Sequence, residues 1–236
     1  MKRSIKDTVP LEKELRSLIP EGSVFTTGKF DELECISRVF ENSYFSHSSA
    51  LLINDMHERI PKAIYLSCEN SRKKDPVQRP PLTQKTIDRA FSTPFPSCKR
   101  YFFNDRIIIL NEQDYSRTGV VCSKSGNYFY TDPERTIIDC LVRPDLAGGI
   151  ETLIKVLVHF RGKYSVDKIR DYLIELNLEF PYHQSMGYIL EVARFSSQDL
   201  RKFQEMGTDL RFYLDRQILH PYHDIRWNLV HPEEIY

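Results

Sequence analysis

No two cysteines of this chain stand at a metal-binding spacing. The five (Cys35, Cys68, Cys98, Cys122 and Cys140) are scattered singly and odd in number, so they cannot all pair with one another. A disulfide framework that pairs every cysteine and a zinc site at C-x-x-C spacing are thereby excluded, and small buried thiols in a reducing compartment are expected. Long apolar runs are also missing: 106–110 and 150–160 are too short or too polar to span a bilayer. The opening Met-Lys-Arg-Ser-Ile-Lys-Asp has no apolar core behind its cations, so no secretory signal and a cytoplasmic location are expected. Phosphate-loop chemistry has no footing, because Gly148-Gly149 is followed by no Gly-Lys-Ser/Thr, and no G-x-S-x-G elbow occurs. Gly22-Ser23 leads into Val-Phe-Thr-Thr, without the carboxylate pair of a nucleotidyltransferase. The nearest histidine pair, His220-Pro221-Tyr222-His223, is interrupted by a proline that predicts a turn, so no metal and no cofactor are expected.

What remains is an ordinary globular composition: 236 residues, 41% hydrophobic, 28% charged, with zero net charge. The charge is unevenly placed. From Arg59 to Arg106 there are eleven cations against four carboxylates, an excess of seven that the remainder must balance. Arg72, Lys73, Lys74 and Arg79 fall in a proline-rich stretch that reads as an exposed loop, able to neutralise nucleic-acid phosphates or simply to be solvated.

Hydrophobic spacing predicts helices over 11–18 and 31–40 and, capped by Ser46, a short one over 47–55. Strand patterns follow at Ala63–Leu66 and, after a helix capped by Thr83, at Arg100–Phe103, Arg106–Leu110, Gly119–Cys122 and Tyr128–Tyr130, the last four paired as antiparallel hairpins. From Thr131 the period becomes helical. Thr131-Asp132-Pro133-Glu134 has the form of a capping box, and Ile137, Ile138, Leu141 and Val142 form one apolar stripe behind it. Three more amphipathic helices are marked by Ile150 to Val158, Val166 to Leu176 and Met186 to Ala193. The tail, 209–236, reads as packed irregular structure with one further helix at most. The expected fold is α+β: a mixed or antiparallel sheet in the first half packed with a helical second half. Residues 1–42 form a separate N-terminal segment and 43–236 the main domain.

Glu134, Arg135 and Asp139 are the best candidates for chemistry. Arg135 and Asp139 stand at i and i+4 and predict an ion pair. A metal nuclease would need a lysine near such carboxylates, and none follows in phase. A capped helix with an internal salt bridge is the expectation, and the chain reads as a binding protein with no catalytic residues.

Three stretches in register resemble the AbiEi antitoxins of type IV toxin–antitoxin, or abortive-infection, systems. The first is Tyr44-Phe45-Ser46-His47-Ser48-Ser49-Ala50-Leu51, continuing to Ile60-Pro61. The second is Pro133-Glu134-Arg135-Thr136-Ile137-Ile138-Asp139, followed by Arg143-Pro144 and Ala147-Gly148-Gly149. The third is Met186-Gly187-Tyr188-Ile189-Leu190-Glu191. Two departures stand out. Asn54-Asp55 replaces the family's His-Gly, and the 43 residues before Tyr44 hold no basic recognition helix: 31–40 carries three acids against one arginine. The family's N-terminal winged helix is therefore expected to be reduced or missing. The resemblance implies an antitoxin that neutralises an AbiEii-like nucleotidyltransferase toxin, functionally rather than through an obligatory stable complex. It implies no membrane association. A DNA-binding regulator of its own operon is the alternative, and a divergent metal-dependent nuclease the second.

Overall fold

The computed structural model describes residues 32–40, 42–57, 61, 63–69, 81–103, 106–114 and 116–233. A helix, α1 (Glu32–Val39), precedes strand β1 (Ser43–Phe45) and helix α2 (His47–Ile53). Strand β2 (Ala63–Glu69) and helix α3 (Gln84–Phe91) follow, then β3 (Lys99–Phe103), β4 (Arg106–Gln113), β5 (Val120–Cys122) and β6 (Phe129–Thr131). The six strands form one sheet in the order β3-β4-β2-β1-β6-β5. The β3–β4 and β5–β6 hairpins are antiparallel as expected, but β2 runs parallel to β4 and β1 parallel to β6, so the sheet is mixed.

Side chains alternate across this sheet, and the register sorts them. Phe45, Leu66, Ile64 and Ile108 share one face and close a small core beneath Ile36 of α1. Tyr44, Ser67 and Asn111 line up on the other face, with Gln113 two residues further along β4. All four of these polar residues are buried. They meet helices rather than water.

The second half is helical: α4 (Pro133–Val142), α5 (Ile150–His159), α6 (Val166–Leu176), α7 (Tyr182–Val192) and α8 (Ser197–Gln204). The larger core gathers Leu51 of α2, Ile87 and Phe91 of α3, Ile137 and Leu141 of α4, and Leu153, Leu173, Met186 and Leu190 of the later helices. The expected stripe on α4 is too narrow a description, because every residue from Glu134 to Val142 is buried. On α5, Val158 points outward at 42% exposure, against its expected place in the apolar face.

The tail is not irregular. Strands β7 (Phe212–Tyr213), β8 (Pro221–Asp224) and β9 (Leu229–Pro232) form a second sheet, in the order β7-β9-β8. The proline between His220 and His223 opens β8 rather than a turn, an edge position where a missing N–H is tolerated. This sheet is locked to α7 by Trp227, which is fully buried and lies where a side chain on Gly187 would have to go. The indole N–H donates to Glu191, and the Gln184 amide donates to the carbonyls of Leu210, Trp227 and Asn228. Among the described residues, no helix is long and apolar enough to cross a membrane.

Candidate functional site: a buried polar layer along α4

Helix α4 begins where β6 ends, and its first turn is capped one residue later than the sequence pattern implies. Asp132, not Thr131, is the N-cap: its Oδ1 accepts the Arg135 N–H at 2.9 Å. Thr131 and Thr136 pair their hydroxyls at 2.7 Å instead. Glu134 does not reach back to the cap. Its Oε1 accepts the Ser165 N–H at 2.8 Å and its Oε2 accepts Lys168 Nζ at 2.9 Å. The same ammonium reaches Asp132 Oδ2 at 2.9 Å, where the Tyr172 hydroxyl also donates at 2.8 Å. Lys168 is thus the lysine that sequence phase did not provide, brought from α6 by the fold. Burial opposes its charge, but the bonds to Glu134 and Asp132 outweigh that and raise its pKa. Burial, then the bond to Asp132, pushes the Tyr172 hydroxyl up to about 12.

One turn further on, Arg135 and Asp139 form the expected pair, Nε to Oδ1 at 2.8 Å, with both side chains wholly buried. Arg135 Nη1 also donates to the carbonyl of Ser116 at 3.0 Å and to that of Thr118. The guanidinium therefore ties α4 to the chain segment entering β5. Gly119 lies against it with φ +74°, and any side chain there would strike Arg135 and Tyr172. Burial pushes the Asp139 carboxyl up against the pull of Arg135. On the sheet side of this layer Gln113 donates to the Tyr44 hydroxyl, whose pKa is raised by burial and by Asp139.

At the C-terminal end of α4, Arg143 donates to both Asp145 oxygens (2.9 and 2.8 Å) and to Asn111 Oδ1 at 3.0 Å, and stacks 5.0 Å from the Phe95 ring. His47 lies in the same polar layer. It begins α2 with φ +50°, and its Nδ1 pairs with Ser46 Oγ at 2.8 Å, which in turn meets Ser67 Oγ at 2.7 Å. Ser46 therefore occupies the N-cap position without capping, because its hydroxyl is committed to Ser67 and His47. Burial first, then the charges of Arg143 and Arg135, hold the His47 imidazole down to about 3.

The remaining motif residues serve the same scaffold. Ser49 Oγ accepts the Tyr65 N–H at 2.8 Å, and Ala50 and Leu51 are in the core. Pro61 is half-buried just before β2. Asn54, where the family pattern has histidine, donates to Ala50 O and Thr131 O at 2.8 and 2.9 Å, joining α2 to the start of α4. Gly148 and Gly149 take φ +83° and +92° at the turn into α5, a region open to glycine at little cost. Arg72, Lys73, Lys74 and Arg79 lie outside the described residues.

Sequence reasoning missed Lys168, Tyr172, Asn111 and Gln113. The last two had a signal: two polar residues at i and i+2 at the end of an apolar strand mark a buried polar stripe. Lys168 had none, being 34 residues from Glu134. Among the described residues, no three histidine, cysteine or acidic side chains gather as a metal-ligand set.

Among solved structures, the crystal structure of the RV2827C protein from Mycobacterium tuberculosis is similar to this chain, with a TM-score of 0.54 at 11% identity. The match covers 83% of this chain and 64% of that one, so this chain spans less than two thirds of its length. At such identity the likeness speaks for the fold alone. No protein-family model matches the chain, and no curated protein matches it.

Proposed function

We propose that this chain is an antitoxin of the AbiEi type, a recognition protein that counters a partner nucleotidyltransferase toxin and contributes no catalytic group of its own. One observation carries the reading. The three stretches that resemble the family, far apart in sequence, meet in one core: Leu51, Ile137 and Ile138, and Met186, Ile189 and Leu190 pack in the same cluster. Their polar members are turned onto one another, as in Arg135–Asp139 and Ser46–His47, in the manner of a scaffold. Co-expression with an AbiEii-like nucleotidyltransferase toxin tests this. Restored growth supports it, and undiminished toxicity in the presence of folded chain contradicts it.

The metal-dependent nuclease reading gains one observation, the meeting of Asp132, Glu134 and Lys168. The ammonium bridges the two carboxylates as their counter-ion, which favours a structural triad that pins α4 to α6. Incubation with plasmid DNA and with RNA in Mg²⁺ decides between the two. Cleavage abolished by Glu134→Gln would establish the nuclease.

A further inference from the structure

We draw no further inference here: the strongest candidate, the exposed apolar side chains of Leu219, Tyr222 and Ile225 on and beside β8, an edge strand of the C-terminal three-stranded sheet, carries nothing because nothing in the structure shows what covers them.

Discussion

His47 is held neutral in a fully buried position, and that has a consequence for acid stability. An unfolded histidine takes a proton below pH about 6.5, whereas this one refuses it down to about 3. The unfolded chain thus binds more protons between those values, and stability falls as pH drops from 6.5 toward 3, by up to about 1.4 kcal/mol per unit. A His47→Gln variant should show a flatter loss than the parent in urea titrations at pH 7, 6, 5 and 4. Parallel curves would remove His47 from the account. Asp139 makes a second case. Its partner Arg135 is wholly buried with it, and removing one member of such a pair costs about 3–5 kcal/mol. Asp139→Leu alone should therefore destabilise by that order, and Arg135→Met with Asp139→Leu by clearly less than the sum of the two single changes. Additive losses in denaturant unfolding would contradict a coupled pair.

The elements differ in how plainly the sequence announces them. The helices from α4 to α7 carry full apolar periods over ten or eleven residues, and each is legible. The elements that escape a sequence reading are short. β1 is central to the sheet yet only three residues long, and β7 has two. No period can be read from so few positions, and their existence depends on partners distant in sequence. Helix α8 escapes it too, although Ser196 caps it and Leu200 and Phe203 face inward. The sequence pattern sets the cap of α4 one residue early because Thr131 and Asp132 are both good caps, and tertiary bonds to Lys168 and Tyr172 choose the second. At this scale the docking of the C-terminal sheet on α7 is the most direct target. Gly187→Ala would push against Trp227, and overpacking of this kind costs about 1–3 kcal/mol. Because Trp227 is the single tryptophan of the chain, a red-shifted emission should accompany the destabilisation. An unchanged spectrum and stability would show that the sheet does not depend on this packing.

For the whole molecule, the mixed sheet with helices packed behind it agrees with the expected α+β class, whereas the site is only half legible. Motif residues such as Arg135 and Asp139 can be named from sequence, but the residues that complete the polar layer come from other elements. The cationic excess over 59–106 predicts a further property at this scale. If its cations bind phosphates, an electrophoretic shift of promoter DNA should weaken steeply with salt. The four-fold alanine change at Arg72, Lys73, Lys74 and Arg79 should then flatten the dependence of log affinity on log salt, by up to about 0.9 for each phosphate no longer neutralised. No shift at low salt would end the DNA-binding alternative. The central claim is that this scaffold protects a cell by recognition and not by chemistry at α4. Growth rescue from an AbiEii-like nucleotidyltransferase toxin, compared between the parent chain and a folded Asp132→Asn, Glu134→Gln double variant, tests it most directly. The account predicts rescue by both, and rescue by the parent alone at equal levels of folded protein would contradict it.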